Sequence, residues 1–110
     1  MTKDPIRYLS LAAKAGKLII GADECEQAVR RGRSGLLILA ADAGISAERC
    51  AGALSETGQV QLIKTVYKKT DLAASVGRGS PVALALVTDK GLASAFIDAA
   101  ANGMEQEERI

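Results

Sequence analysis

The chain has no histidine, no tryptophan and only three aromatic side chains, Tyr8, Tyr67 and Phe96, in 110 residues. Without histidine the commonest general base and the commonest zinc ligand are missing, which excludes Ser-His-Asp triads, Cys-His dyads and mixed Cys/His metal sites. Three aromatics are too few for the base-stacking platforms of single-strand binders of the OB or RRM type. Cys25 and Cys50 stand far apart with no CxxC spacing. They read as small apolar side chains in a reducing compartment, unpaired with each other. The longest apolar run, around Leu36 to Ala41, is far below the roughly 20 residues of a membrane span. No export signal is recognisable, so a cytoplasmic protein without membrane contact is expected.

Charge of one sign is also lacking. Fourteen Lys and Arg stand against thirteen Asp and Glu, a net +1. The whole-molecule field therefore neither attracts nor repels nucleic acid, and any electrostatic preference must be local. Positive residues do cluster, at Lys14 and Lys17, at Arg30, Arg31 and Arg33, and at Lys64, Lys68 and Lys69. Setting aside the end from Met104 to Ile110, with three glutamates and one arginine, leaves thirteen positive against ten negative. Such groups can join into a phosphate-gripping patch; equally, they are the ordinary solvated residues of helices and loops.

What is present is a regular alternation of strand and helix signals. Asp4-Pro5 opens a helix reaching about Ala15 and stopping at Gly16, with Ile6, Leu9 and Ala13 on its buried side. Lys17 to Ile20 is a short strand. Gly21 turns the chain, and Asp23 is placed to cap a second helix with Cys25, Ala28, Val29 and Gly32 inward. Leu36 to Ala41 is a continuous apolar run, the pattern of an inner strand covered on both faces. Ser46 is placed to cap a third helix carrying Ala47, Cys50, Ala51 and Leu54. Val60 to Val66 is a further strand, and Thr70 or Asp71 opens a brief helix through Val76. After the glycine-rich stretch 77–81, Val82 to Val87 is a second inner strand. Thr88 or Asp89 caps a last helix that turns Leu92, Ala95 and Phe96 inward. A chain of this length holds one core. The expectation is an α/β fold, a three-layer α/β/α sandwich around a mixed sheet of about four strands, with residues 1–103 as the domain and 104–110 as an acidic, frayed tail.

Two segments could carry chemistry. Gly77-Arg78-Gly79-Ser80-Pro81 superficially suggests a phosphate cradle, but it lacks the lysine-serine pair of a P-loop and precedes a strand instead of a helix. A turn between a short helix and a core strand explains both glycines and the proline, and leaves Arg78 exposed as an anion contact. Gly21-Ala22-Asp23-Glu24 opens a helix whose free amides can meet acceptors such as phosphate oxygens. The plainer account is that Asp23 caps and Glu24 complements the helix dipole, contributing roughly 0.5–2 kcal/mol. Helical projection puts Glu24, Gln27 and Arg31 on one flank, away from the apolar stripe, so that a carboxylate, an amide and a guanidinium share a surface. Asp23, Glu24 and Asp42 are the candidate acids near strand ends, yet no acid/base pair, nucleophile or metal cluster is identifiable. Catalysis and a cofactor are therefore not expected.

Three stretches together resemble a known family. They are YLSLAAKAGKLIIGADECEQAVRRGRSGLLILAADA from Tyr8 to Ala43, KKTDLAASVG from Lys68 to Gly77, and PVALALVTDKGLASAF from Pro81 to Phe96. The resemblance is to the kink-turn RNA-binding ribosomal proteins of the archaeal "L seven Ae" type. The LAAKAGKLIIG opening points within it to the small bacterial YlxQ-like branch. It implies an α/β/α sandwich without cofactor or catalysis. It further implies that a Gly-x-Asn-Glu segment at the start of the second helix, helped by a lysine one turn on, meets the sheared G·A pairs of a kink-turn. Gly21 and Glu24 match that pattern, whereas Asp23 stands for the asparagine and Gln27 for the lysine. Guanine offers acceptors at O6 and N7 on its major-groove edge; an ionised aspartate cannot donate to them, and Gln27 keeps a donor but not a charge. The family also uses the loop before the last core strand to hold an extruded nucleotide, here Val76 to Val82.

The expected function is binding of structured RNA in a ribosome- or translation-associated setting, with ribosomal RNA or ribosomal proteins as partners. The expected RNA-binding residues are Lys17, Gly21, Ala22, Asp23, Glu24, Gln27, Arg30, Arg31, Arg78 and Gly79. The rivals are a protein-interaction module on the same scaffold and, third, a small enzyme with convergent acids in a cavity.

Overall fold

The two continuous apolar runs become the two central strands of the sheet. The computed structural model describes the backbone of residues 4–108 and the side chains of residues 4–101. In chain order the elements are α1 (Ile6–Lys14), β1 (Leu18–Ile20), α2 (Ala22–Arg30), β2 (Gly35–Leu39), α3 (Ile45–Ser55), β3 (Val60–Lys64), α4 (Lys69–Ser75), β4 (Leu84–Val87) and α5 (Lys90–Glu108). The strand order is β1-β4-β2-β3. β4 runs antiparallel to both neighbours, with Leu18 opposite Val87 and Leu39 opposite Leu84, while β2 and β3 are parallel, with Gly35 opposite Val60. β2 from Leu36 onward and all of β4 are buried, whereas β1, at an edge, is half-buried along its length. This is the expected mixed four-stranded α/β fold.

The connections from β1 to β2 and from β2 to β3 both join strands of the same direction and step the same way across the sheet. Right-handed crossovers therefore place α2 and α3 together on one face, where they pack on each other. α1, α4 and α5 form the other layer, α1 against both of its companions and α5 against β2 and β4. Phe96, Leu9 and Leu72 from this layer, with Leu36, Leu37, Ile38, Leu84 and Leu86 of the sheet, are among the largest fully buried side chains.

Several local expectations need correction. Ala12, not Ala13, joins Leu9 in the core of α1. Asp23 and Ser46 do not cap α2 and α3; Gly21 and Gly44 occupy the N-cap positions, and no side chain bonds there. Gly32 lies beyond α2, exposed, instead of completing its stripe. α4 opens at Lys69, ahead of the expected Thr70 or Asp71, with Lys68 at the N-cap and the Asp71 carboxylate accepting the Lys68 N–H at 3.1 Å. At α5 the expected cap is present, Asp89 Oδ1 accepting from Leu92 N at 2.9 Å. A frayed tail is expected over 104–110; the backbone of α5 continues as helix to Glu108, and the side chains of that stretch and the last two residues lie outside the described residues.

Gly35 is where the sheet demands glycine. At φ +150 its backbone passes so close to β4 that an added Cβ would stand 2.1 Å from the Val87 carbonyl oxygen and 3.3 Å from Thr88 Cα. No side chain fits there.

Candidate nucleic-acid interface

The strand directions sort the loops into two groups at opposite ends of the sheet. At one end β1, β2 and β3 finish and β4 begins. Gly21 N–H donates to Leu84 O (2.9 Å), Ala40 N–H to Ala83 O (3.0 Å), Ala41 N–H to Tyr67 O (2.7 Å), and Val82 N–H to Lys69 O (3.1 Å). Asp42 Oδ1 accepts from Lys69 N at 2.7 Å. These bonds tie the start of α2, the loop before α3, the loop before α4 and the strand-side limb of the glycine-rich loop into one rim.

On this rim Gly21 has φ +109, and a Cβ there would lie 2.6 Å from Glu24 Oε1. The Glu24 carboxylate is thus folded back over the bare glycine, above the first turn of α2. Cys25 N–H, bonded to Gly21 O at 3.0 Å, is the first amide with a partner in the helix, so those of Ala22, Asp23 and Glu24 remain as outward donors. Asp23, Glu24 and Gln27 are all exposed. The turn is held from beneath by thiols: Cys25 Sγ donates to Ile19 O at 3.6 Å and Cys50 Sγ to Ala22 O at 3.8 Å. Both cysteines are free. Burial, reinforced by Cys50 and Glu24, pushes Cys25 up to about 12, and burial with the nearby Glu26 and Asp23 charges also raises Cys50. They are packing groups that stay protonated at neutral pH.

The expected site residues do not all meet. Gly21, Ala22, Asp23 and Glu24 share the rim, and Gln27 follows one turn along α2. Arg30 and Arg31 lie at the far end of this nine-residue helix, roughly 13 Å away at 1.5 Å per residue. Arg30 reaches back to Glu26 at 3.5 Å. Lys17 belongs to the opposite end of the sheet, where its carbonyl accepts Thr88 N–H at 2.9 Å. Glu24, Gln27 and Arg31, all exposed, form a strip running the length of α2 between the two ends. Arg78 N–H closes α4 by bonding to Ala73 O at 2.9 Å, beside Gly77 N–H on Ala74 O. Its side chain and Gly79 are exposed, and among the described residues no hydrogen bond or ion pair joins Arg78 to α2. The helix-ending turn therefore accounts for the glycine-rich stretch, and only Val82 and Ala83 beyond it touch the rim.

Sequence reasoning missed two rim residues. Ile45, 69% exposed, and Val66, 81% exposed, follow the ends of β2 and β3. They are large apolar groups left in solvent beside Lys68 and Lys69. The rule that α/β proteins use the carboxyl ends of parallel strands, applied to β2 and β3 as well as β1, finds them. Among the described residues no three His, Cys, Asp or Glu side chains converge as metal ligands, and no helix is long and apolar enough to cross a membrane.

Among solved structures, a protein of unknown function from Bacillus halodurans superposes with a TM-score of 0.80 at 24% identity, over 89% of this chain and 97% of that one. A Giardia lamblia 15.5kD RNA binding protein superposes with a TM-score of 0.70 at 20% identity, over 88% of this chain and 82% of that one. These likenesses establish the fold. No curated protein sequence matches the chain. The model of the ribosomal protein L7Ae/L30e/S12e/Gadd45 family matches residues 6–97, and the chain belongs to that family.

Proposed function

We propose that this protein binds structured RNA through the rim at the start of α2. The observation that carries the reading is the Glu24 carboxylate lying over Gly21, beside three outward amides. A carboxylate accepts from base amino groups while backbone amides donate to base carbonyls and phosphates, so one turn of helix offers both halves of a base-edge contact. Exposed Ile45 and Val66 provide apolar surface for an unstacked base, and Lys68 and Lys69 stand close enough to meet its phosphates. The Giardia lamblia 15.5kD RNA binding protein, which shares this fold, supports the reading. On this view the protein is a non-enzymatic member of the YlxQ-like branch, working in the cytoplasm beside ribosomal RNA or ribosomal proteins in translation.

Kink-turn recognition is weakened in this chain by Asp23 and Gln27. Aspartate presents a second negative charge where a guanine edge needs a donor. Replacing Asp23→Asn together with Gln27→Lys is expected to raise affinity for a kink-turn hairpin at least about tenfold, or ~1.4 kcal/mol. Fluorescence anisotropy titration measures it, and an unchanged affinity in the double variant would sink this account of the rim. The same exposed Ile45 and Val66 support a second reading, a protein partner docked on the rim; that complex would be insensitive to salt, where an RNA complex weakens steeply.

A further inference from the structure

We infer that the end of the sheet opposite the rim is a second RNA contact, a face that grips the phosphate backbone without reading bases. There β1, β2 and β3 begin and β4 finishes. The register sets Leu18 and Leu36 on either side of Val87. Thr88 N–H and Oγ1 both donate to Lys17 O, at 2.9 and 3.2 Å. Gln59 Nε2 donates to Val29 O and Arg33 O, at 3.1 and 3.4 Å, and holds the turn after α2 against the start of β3. Four separate connections thereby converge.

What they bring is positive charge: Lys14 at the end of α1, Lys17 before β1, Arg31 and Arg33 after α2, and Lys90 at the start of α5, all exposed. Strands about 4.8 Å apart place the backbones of residues 17, 88 and 34 within roughly 10 Å, close to one Debye length at physiological salt, so the charges act together. The ion pairs among the described residues are Arg30 with Glu26 and Lys64 with Glu48, and neither uses one of these five. The acids of this end are Asp89, whose carboxylate caps α5, and Glu56, at the end of α3. Helix dipoles explain Lys14 and Arg31 at helix ends but not Lys90, which sits at a helix start where a cation is unfavourable.

Nucleic acid fits this face better than a protein or a lipid surface. Of the three large apolar side chains exposed among the described residues, Ile45 and Val66 are on the rim and Leu11 is a turn back along α1. Among the described residues the basic face therefore lacks the apolar centre of a protein interface and the wedge of a membrane anchor. The exposed strip Glu24, Gln27, Arg31 connects it to the rim, so one RNA can lie along α2 and touch both.

The inference rests on the reading of the protein as an RNA binder, and two probes separate them: a 20-base-pair RNA duplex without internal loops, and a kink-turn hairpin. The wild type is expected to bind both at low salt. Lys17→Gln/Arg33→Gln/Lys90→Gln should lose about tenfold or more on the duplex, and its slope of log affinity against log salt should shrink by about 1 per lysine or arginine removed. Glu24→Ala should affect only the hairpin. Thermal unfolding checks that the triple variant is folded. A triple variant with an unchanged duplex slope, or a wild type that binds the hairpin but not the duplex, overturns the second contact and leaves the rim reading standing. A wild type that binds neither RNA overturns both.

Discussion

The two ends of the sheet are built from the same strands and differ in sign. The rim carries Asp4, Asp23, Glu24, Asp42, Glu48 and Asp71 with Lys64, Lys68 and Lys69; the other end carries Lys14, Lys17, Arg31, Arg33 and Lys90 with Asp89 and Glu56. At the rim Asp42 is turned inward on Lys69 N–H and Asp71 on Lys68 N–H, Asp4 accepts from the Tyr67 hydroxyl and Glu48 pairs with Lys64, leaving Asp23 and Glu24 as its free carboxylates among the described residues. At the basic end the cations stand unpaired among the described residues. A nearly neutral chain can thus hold a discriminating acidic edge and a gripping basic one, kept apart by the length of α2. Affinity and selectivity then answer to different substitutions.

The largest effect is expected from breaking the basic end at Gly35. Gly35→Ala drives a methyl group into the Val87 carbonyl at 2.1 Å, and should cost about 3 kcal/mol or more in urea unfolding, because backbone on both sides must separate. Gly32→Ala, three residues earlier at φ +92 with nothing within 4 Å, carries only the left-handed penalty of about 1–2 kcal/mol. Equal losses would mean that the close approach to β4 is not what Gly35 serves. At the rim, Gly21→Ala meets the flexible end of Glu24 instead of backbone. It should cost about 1–2 kcal/mol and displace the carboxylate from its place over the helix start. In Gly21→Ala/Glu24→Ala the clash is absent, so the double variant should be more stable than the sum of the single losses, a coupling that unfolding midpoints of the four proteins measure.

These glycines show what local sequence could and could not reveal. The inner strands were legible because a strand buried on both faces needs an unbroken apolar run, as Leu36–Leu39 and Leu84–Val87 have. The stripe Cys25, Ala28, Val29 was legible because helical spacing alone selects it. The caps of α2 and α3 differ from that reading: a polar side chain is the usual N-cap, but β1 turns into α2 through Gly21 alone and the loop after β2 enters α3 through Gly44, and glycine at φ +109 and +95 makes each turn. The Asp23 and Ser46 side chains fall two residues inside. The site was legible in half. Lys17 and Gly21 are four residues apart, yet they flank a strand, so about 13 Å of extended chain separates them. Element lengths alone part Lys17, Arg30 and Arg31 from Glu24; which loops join it on the rim depends on strand order and direction, and no local window contains either.

A smaller effect separates the rim by pH. Cys25 lies fully buried under the first turn of α2, and its thiol is raised from 9.0 to about 12. The unfolded chain releases that proton first as pH climbs past 9, so the unfolded state binds fewer protons and stability falls with rising pH from there toward the folded value. By about pH 10 the loss is expected to reach ~1 kcal/mol. Cys25→Ala should flatten this part of the curve, read as the slope of unfolding free energy above pH 9, whatever the variant's stability at neutral pH. An undiminished slope would place the alkaline sensitivity elsewhere.

The smallest effect tests how independently the two ends are held. The Tyr67 hydroxyl, on the rim, donates to Asp4 Oδ1 just ahead of α1. Burial, with this bond next, raises the Tyr67 pKa, so the bond is intact at neutral pH. Asp4 is exposed and its carboxylate also accepts Ile6 N–H at 3.2 Å, so water can replace the lost donor. Tyr67→Phe should therefore cost only about 0.5–1 kcal/mol. Because α1 spans from the rim to Lys14 at the basic end, the loosening reaches Lys14 only if α1 moves as a rod. Ser10 Oγ, bonded to Ser75 O midway along α1, pins the helix to α4 before that. Hydrogen exchange in Tyr67→Phe is expected to speed at the first turn of α1 and to stay unchanged at Ala15 N–H and Lys17 N–H, which bond to Leu11 O and Ala12 O. The salt slope of duplex RNA binding should then match the wild type, since the phosphate-gripping end keeps its geometry when the other end is loosened.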